Sequence, residues 1–288
     1  MCELLGLDCN TPTDAVFSFT GLCSRGGKTG AHVDGWGIAF YDGRAARVFL
    51  DPQPAVRSPL AELLRTWPLR SLIIVAHIRR RTRGPTSLPN THPFTRELWG
   101  RHWTFAHNGT VPGARRLKLG RFRPIGTTDS EHVFCHLLEV LRSELGDYPR
   151  SPRTLVDLIA KASRRIANDG TLNYLLSDSH RLYARSSTSL FHIIRQAPFG
   201  QATLSDDEVK VNFADLTTPR DRVAVVATRP LTRDERWTAG NPGELWVFEN
   251  GALRFSVDSR GKQDGRAQAF QARGRARDQS RAADGVSP

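Results

Sequence analysis

The second residue of the chain, Cys2, is of a type and in a place that could do nucleophilic chemistry. Because Cys2 is small, we expect a methionine aminopeptidase to remove Met1 and to leave Cys2 as the mature N-terminus. A free α-amine has an ordinary pKa of about 7.7–8.0, so it can accept a proton near neutral pH. Cys2 would then combine a nucleophile with its own general base. The alternative is a small buried hydrophobic residue in an apolar strand.

Four short motifs downstream contain residue types that bind or polarise polar substrates. They are Asp34-Gly35-Trp36-Gly37, then His77-Ile78-Arg79-Arg80-Arg81-Thr82-Arg83-Gly84, then Asn90-Thr91-His92-Pro93-Phe94 with Ala106-His107-Asn108-Gly109, and Thr128-Asp129-Ser130-Glu131. Each has a structural explanation when it is taken alone: a bend, solvated arginines, an Asn-Gly hairpin turn and a helix capping box. Their combination, in this order after Met1-Cys2, is what indicates a function.

The ordered set resembles the class II (type-2) glutamine amidotransferases, which are N-terminal-nucleophile hydrolases that release ammonia from glutamine. Among them the chain is most similar to the compact stand-alone members, including the YafJ-like proteins. The resemblance extends from residue 2 to about residue 257. It implies an α+β fold, the four-layer αββα sandwich of the N-terminal-nucleophile hydrolases.

The resemblance also implies roles for individual residues. Cys2 matches the nucleophile that attacks the side-chain amide carbon of glutamine, and Asn108 and Gly109 match the oxyanion hole. An amide N–H and a backbone N–H are suitable donors for a tetrahedral oxyanion. Arg79 matches the arginine that binds the substrate α-carboxylate, for which a guanidinium fork is well suited. Asp129 matches the acid that binds the α-ammonium group.

Other residues of the motifs are expected around this substrate site. Thr82 is expected to add a hydrogen bond, and further positions beside the substrate are Trp36, Gly37, His77 and His107. We interpret the two histidines as hydrogen-bonded residues that orient loops, because the α-amine already supplies a base. Extra arginines around Arg79 predict a cavity rim that is more basic than a simple glutaminase needs. Such a rim leaves room for a bulkier or more acidic γ-glutamyl substrate.

Two other kinds of site were weighed and are not expected. His132 and His136 are four residues apart on a predicted helix, but the glutamate of a His-Glu-x-x-His zinc motif is missing. The glycines around Lys28 do not form a phosphate-binding loop, because the first glycine of that motif is replaced by Leu22. We therefore predict no metal and no cofactor.

The elements that must position these residues are predicted from periodicity and from turn signals. Leu72–Ile78 is expected to be a central strand, and Thr13, Ser58, Thr128 and Ser151 are expected to begin helices. The predicted strands cover 2–8, 36–41, 72–78, 103–106, 171–177, 181–186, 189–195, 222–228, 244–249 and 252–257, and the helices begin near 14, 59, 129 and 152. Strands that flank paired helices indicate helices covering antiparallel sheets, which is an α+β class.

The composition of the 288-residue chain restricts the remaining possibilities. The net charge is +12, but residues 258–288 hold seven Arg or Lys and four Asp with a single aromatic residue. We predict one domain over 2–257 and a disordered basic tail after it. Nucleic acid is an unlikely partner because no basic stripe is interleaved with aromatic residues. Four cysteines without Cys-x-x-Cys spacing, and no apolar run long enough for a membrane, predict a cytoplasmic protein.

The predicted reaction is hydrolysis of L-glutamine to glutamate and ammonia through a γ-glutamyl thioester on Cys2. A hydrolase of γ-glutamyl amides or peptides is the close alternative, because only the leaving group would differ. A non-catalytic protein that retains a γ-glutamyl pocket is a third, less favoured reading. The expected partner is a small-molecule substrate. A separate enzyme would have to bind any ammonia acceptor, since no synthase domain follows residue 257.

Overall fold

Two antiparallel sheets and four α-helices make up the structure, a computed structural model that describes residues 2–81, 84–168 and 170–262. The strands are β1 (Glu3–Asp14), β2 (Trp36–Asp42), β3 (Ala45–Asp51), β4 (Arg70–Ile78), β5 (Phe94–Glu97), β6 (His102–Thr110), β7 (Thr171–Ser177), β8 (Leu182–Arg185), β9 (Phe191–Gln196), β10 (Gln201–Thr203), β11 (Lys210–Asn212), β12 (Arg222–Ala227), β13 (Thr238–Ala239), β14 (Leu245–Glu249) and β15 (Ala252–Val257). The helices are α1 (Val16–Arg25), α2 (Pro59–Thr66), α3 (Asp129–Leu145) and α4 (Pro152–Ala167).

The two large sheets have the strand orders β13-β9-β12-β1-β4-β2-β3 and β15-β14-β8-β7-β6-β5, and β10 pairs with β11 in a separate ribbon. Three hydrophobic cores separate four layers. One lies between α1, α2 and the seven-stranded sheet, the second lies between the two sheets, and the third lies between the six-stranded sheet and α3 with α4. The expected αββα sandwich is therefore confirmed.

Strand β1 shows how the sequence positions the middle of this sandwich. Side chains alternate along a strand: Leu5 and Leu7 face the helices, while Leu4 faces the other sheet. Gly6 also faces the other sheet, where an added Cβ would lie 2.9 Å from a methyl group of Leu182. The sheets can approach closely at this point because position 6 carries no side chain.

The helix starts follow the predicted caps in two cases out of four. Ser58 and Thr128 each accept a hydrogen bond from the backbone N–H three residues later, as N-cap residues do. Ser151 precedes α4 without a side-chain cap bond. Thr13 was expected to cap the first helix, and this is wrong, because Thr13 lies inside β1 and the side chain of Asp14 accepts from the N–H of residue 16 instead.

Most predicted strands are present, with boundaries shifted by a few residues. Leu72–Ile78 lies within β4, which pairs with β1 and β2 on either side and is central in its sheet. The sequence reading missed β3, β5, β10, β11 and β13, which are sheet-edge strands or belong to the small ribbon. The last described strand, β15, ends at Val257, and the predicted tail lies outside the described residues beyond residue 262. No helix in the described ranges is both long and apolar enough to cross a membrane.

Candidate functional site

A cavity of about 320 Å³ opens where β1 begins, β4 and β6 end and α3 begins. Because these ends meet at one edge of the two sheets, residues from four distant parts of the sequence share its wall. Five of the residues predicted from the motifs line it, namely Cys2, Arg79, His107, Gly109 and Asp129. The cavity size falls at the lower end of the range for small-molecule sites, roughly 300–1,000 Å³.

Cys2 is half-buried and is held by contacts on both its backbone and its side chain. Its backbone nitrogen donates a hydrogen bond to Oδ1 of Asn108 over 2.8 Å. Its Sγ atom lies 3.5 Å from the carbonyl oxygen and 3.3 Å from the backbone nitrogen of Arg80. Burial raises the pKa of the Cys2 thiol above its ordinary value of 9.0. The thiol is therefore protonated at neutral pH and needs a base to become a nucleophile.

Asn108 is fully buried next to Cys2, and only one of the two polar atoms of its side-chain amide has a hydrogen-bond partner among the described residues. Oδ1 accepts from Cys2, whereas Nδ2 has no hydrogen-bond partner among the described residues. A buried donor without a partner costs free energy, about 1–3 kcal/mol, unless a ligand satisfies it. Gly109 follows on the cavity wall, and a Cβ there would overlap the carbonyl oxygen of Thr171. Asn108, which was predicted for the oxyanion hole, is not among the residues that line the cavity, and its unpartnered N–H group belongs to the buried side chain that holds the nitrogen of Cys2.

Arg79 and Asp129 supply opposite charges to the same cavity. Arg79 is only 4% exposed, directly after β4, and Nη1 donates to the carbonyl oxygen of Pro85 over 3.0 Å. Asp129 is the first residue of α3, where the positive end of the helix dipole stabilises a carboxylate. Its two oxygens accept from the backbone N–H groups of Val111 and Ser130 at 2.7 and 3.0 Å. A carboxylate has about four acceptor positions, so positions remain for a ligand cation.

His107 is a fixed neutral residue at the cavity wall. Nε2 must donate to the carbonyl oxygen of Thr171, 3.0 Å away, because a carbonyl only accepts. Nδ1 then accepts from the hydroxyl of Ser130, 2.8 Å away. Burial lowers the pKa of His107, which agrees with a neutral ring. Since both nitrogens are engaged, His107 orients the start of α3 relative to β6.

His77 and His92 lie behind the cavity as a stacked pair with ring centroids 4.2 Å apart. Burial lowers the pKa of His77 to about 3 and that of His92 well below its ordinary value. Their ring nitrogens have no hydrogen-bond partners among the described residues. His92 reaches the cavity wall, whereas His77 lies in the interior.

Several residues predicted around the substrate are not on the cavity wall. Trp36 is completely buried and packs against Phe19 of α1, with ring centroids 5.5 Å apart. Gly37 allows β2 to approach the backbone carbonyl of His92, which an added Cβ would overlap. Thr82 lies outside the described residues. His132 and His136 contact backbone carbonyl oxygens near the start of α3, at 3.0 and 2.7 Å.

Two buried polar residues that sequence reasoning missed support the site from behind. Asn173 donates from Nδ2 to the backbone oxygen of Asn108 over 2.9 Å. Its Oδ1 accepts from the N–H groups of Ser187 and Thr188 at 2.7 and 2.9 Å. An asparagine inside the otherwise apolar segment 172–176 was a signal for such a role. It fixes the strand that carries Asn108.

Glu3 is the second missed residue, and it anchors the strand that carries Cys2. It is 3% exposed, and its carboxylate accepts from Arg25 and Arg229, both at 3.0 Å. Arg25 is itself 2% exposed and also binds Asp206 at 2.7 Å. A charged residue between Cys2 and an apolar strand was the available sequence signal.

The combined geometry suits attack on a carbonyl carbon of a zwitterionic amino-acid derivative. It provides a thiol, an unpartnered N–H donor on the side chain that holds the nitrogen of Cys2, the buried cation Arg79 and the anion Asp129. These are the parts that an acyl-transfer site needs.

Comparisons with known proteins agree with this chemistry. A family model described as glutamine amidotransferases class-II matches residues 1–271. YafJ of Escherichia coli (strain K12) is 51% identical over 251 residues, which is 86% of this chain and 97% of that protein. A gamma-glutamyl-hercynylcysteine sulfoxide hydrolase of Mycobacterium tuberculosis (strain ATCC 25618 / H37Rv) is 37% identical over 171 residues, 58% of this chain and 64% of that protein.

Solved structures give the same result. The crystal structure of a predicted glutamine amidotransferase from Pseudomonas aeruginosa is 40% identical, with a TM-score of 0.70 over 88% of this chain and 99% of that one. A glutamine phosphoribosylpyrophosphate amidotransferase from B. subtilis shares the fold at 16% identity, with a TM-score of 0.60 over 91% of this chain and 50% of that one. By the family model and these relatives, the chain belongs to the class II glutamine amidotransferases.

Proposed function

We propose that the protein hydrolyses the γ-glutamyl amide bond of L-glutamine, giving glutamate and ammonia, with Cys2 as the nucleophile. The observation that carries the proposal is the pairing of Cys2 with Asn108. One end of the amide holds the nitrogen of Cys2, and the other end is a buried N–H donor with no partner in the described part of the chain. A developing oxyanion would give that donor an acceptor beside the attacking sulfur.

The proposed reaction has two halves. In the first, Sγ of Cys2 bonds to the amide carbon, the carbon–nitrogen bond breaks, and the proton of the thiol leaves with ammonia. In the second, water attacks the resulting thioester, which releases glutamate and returns a proton to the sulfur. Asn108 Nδ2 and the backbone N–H of Gly109 stabilise the negative oxygen in both halves.

The α-amine of a mature Cys2 is the proposed base for the thiol proton. His107 cannot take this role without losing a hydrogen bond, because both of its ring nitrogens are engaged. His77 is buried in the interior, and its pKa of about 3 makes it a weak base. An α-amine, by contrast, has an ordinary pKa near the operating pH, about 7.7–8.0.

Arg79 and Asp129 are the proposed contacts of the glutamyl head group. The guanidinium of Arg79 would bind the α-carboxylate, and Thr82 would add a hydrogen bond there. The free acceptor positions of Asp129 would bind the α-ammonium group. We assign His77, Trp36 and Gly37 to the support of this site rather than to substrate contact, because they lie away from the cavity wall. One domain over residues 2–257 and a cytoplasmic location remain predictions.

The experiment combines intact mass with covalent trapping. Mass spectrometry of purified protein should show that Met1 is absent and that 6-diazo-5-oxo-L-norleucine adds once, on Cys2. Cys2→Ala should neither be labelled nor release glutamate from glutamine, while its circular dichroism and melting temperature match the parent protein. Active protein that retains Met1 would refute the α-amine as base. Labelling of another cysteine, or turnover by Cys2→Ala, would refute Cys2 as the nucleophile.

A second candidate substrate class is a γ-glutamyl conjugate whose leaving group is larger than ammonia. The similarity to a gamma-glutamyl-hercynylcysteine sulfoxide hydrolase favours it, as does the row of arginines around the cavity. Recognition of the glutamyl head and the two chemical halves would be unchanged. In either case the acyl acceptor is water, and a partner enzyme would be needed only to use the ammonia that glutamine releases.

A further inference from the structure

The cavity wall carries more positive charge than a glutamyl head group can neutralise. Among the described residues, four arginines line the cavity, Arg79, Arg80, Arg81 and Arg115, against the single carboxylate of Asp129. The two histidines on the wall add no charge to this excess, since their lowered pKa values keep them neutral. The head group of glutamine is a zwitterion with one negative and one positive charge, so its binding leaves the excess in place.

Two of the four arginines already have assigned partners. Arg79 is buried and is proposed above to bind the α-carboxylate. Arg81 lies against Asp34: its backbone nitrogen donates to Oδ2 over 2.8 Å, and its Nε atom is 3.7 Å from Oδ1. The excess charge on the wall therefore belongs to Arg80 and Arg115.

The side chains of Arg80 and Arg115 are exposed and have no hydrogen-bonding or ionic partner within the described ranges of the chain. Arg80 is the residue whose backbone contacts the sulfur of Cys2, so its side chain begins beside the reacting atom. Arg115 lies in the 3₁₀ turn Ala114–Arg116 that follows β6, on the same cavity wall. Both cations thus border the space that a substrate must occupy beyond its glutamyl head.

We propose that Arg80 and Arg115 recognise a carboxylate on the leaving amine, so that the preferred substrates are γ-glutamyl conjugates of amino acids or peptides. This inference rests on the Cys2 chemistry of the proposed function, and it specifies the leaving group within the second candidate substrate class. Ammonia carries no carboxylate that the two arginines could bind. An amino-acid leaving group places one carboxylate near them, and complementary charge favours the substrate that carries it. The water-dependent reaction then releases glutamate and the free amino acid.

The size of the effect follows from the exposure of the two arginines. A carboxylate that binds an exposed arginine forms a weak ion pair, because water screens both charges. Two such arginines should together favour a charged leaving group by roughly tenfold in kcat/KM, where each tenfold is about 1.4 kcal/mol. The preference should weaken in about 1 M salt, because the Debye length shortens to about 3 Å.

The test uses two substrates that differ in a single charge, γ-L-glutamylglycine and γ-L-glutamylglycinamide. The measured quantity is the ratio of their kcat/KM values, from glutamate release. A misfolded fraction lowers both values equally and leaves the ratio unchanged. We expect a ratio near ten for the parent protein, and a ratio near one for the double variant Arg80→Gln/Arg115→Gln. The control is Arg47→Gln, an exposed arginine of β3 outside this cavity, which should keep the parent ratio.

The outcomes separate this inference from the proposed function. A parent ratio near one, or an unchanged ratio in the double variant, would overturn the inference if Cys2-dependent glutamate release persists. In that case the proposed chemistry stands and the arginines have no part in leaving-group recognition. Absence of glutamate release from both dipeptide substrates and from glutamine, with no trapping at Cys2, would overturn both.

Discussion

The substitution Asn108→Asp separates two roles that we propose for one side chain. Asn108 is completely buried, accepts a hydrogen bond from the nitrogen of Cys2 over 2.8 Å, and presents Nδ2 without a partner in the described residues. Aspartate has the same shape and keeps an oxygen toward Cys2, but it replaces the donor by an acceptor. Loss of one oxyanion donor should lower kcat by about 10²–10³-fold, or 2.7–4 kcal/mol of transition-state stabilisation.

The same variant should also change the pH dependence if aspartate is ionised. A carboxylate beside the α-amine of Cys2 favours the protonated ammonium form, so it raises the pKa of that amine. A base must be unprotonated to act, and the acid limb of the kcat/KM profile should therefore move to higher pH. Asn108→Ala removes the donor without adding charge, and it also removes the oxygen that accepts from the nitrogen of Cys2, so its acid limb should not move to higher pH.

The assay is glutamate release from glutamine between about pH 6 and 10, which brackets the ordinary pKa of an α-amine. Both kcat and KM are measured for the parent protein, for Asn108→Asp and for Asn108→Ala. A matched control is Asn10→Asp, the same chemical change at an exposed residue of β1, which should leave kcat unchanged within about twofold. A folded Asn108→Asp protein whose kcat stays within about tenfold of the parent would refute the donor role.

Two further predictions concern buried carboxylates of β1. Glu3→Ala removes one of the two carboxylates that bind the buried Arg25 and should lower the free energy of unfolding by about 3 kcal/mol, the low end for a broken buried pair, because Arg25 keeps Asp206 and two backbone carbonyl oxygens as partners. Urea denaturation measures this loss, the exposed Glu208→Ala is the control, and a loss below about 1 kcal/mol would contradict the reasoning. Burial raises the pKa of Asp8 from 3.8 to about 7, so the stability that Asp8 contributes is complete below about pH 4 and is lost as the pH rises through 7. Asp8→Asn keeps an acceptor for the N–H of Gly251. Its free energy of unfolding should exceed that of the parent protein above pH 8, by at most about 4 kcal/mol, but not at pH 4. An identical pH dependence of the free energy of unfolding in both proteins would contradict the prediction.

The fold could be predicted where a single element carries its own signal. The apolar run of β4 indicated a central strand, and Thr128 and the apolar spacing after it indicated α3. The edge strand β3 was missed because its side chains are half-exposed and lack an apolar run. The capping box of α3 was only half right, because the carboxylate of Glu131 accepts from the N–H groups of Ile125 and Gly126 instead of turning back to Thr128.

The motifs predicted a set of candidate site residues, but they did not predict which of these residues line the cavity and which lie behind its wall. Trp36 and His77 stand beside motif residues in the sequence, yet alternation along a strand turns neighbouring side chains to different layers. Trp36 accordingly packs toward α1, and His77 lies between the sheets. The supporting contacts were also hidden, since Asn173 meets Asn108 across 65 residues of sequence. Pairings of that kind depend on the register of two strands, which a single sequence does not reveal.

Alternation along β1 also explains how the proposed nucleophile is held in place. Cys2 lies two residues before Leu4, so its side chain points to the same face of the strand. Leu4 lies between the two sheets, and Cys2 therefore reaches the cavity at the edge of that layer. The side chain of Glu3 points to the opposite face of the strand and forms an ion pair with Arg25 on the side of the sheet that the helices cover. The carboxylate of Glu3 and the thiol of Cys2 thus belong to adjacent residues but lie on different faces of the sheet. The contact that fixes the strand thus lies one residue from Cys2 and takes up neither space nor charge in the cavity. The nitrogen of Cys2 is oriented by its hydrogen bond to Asn108.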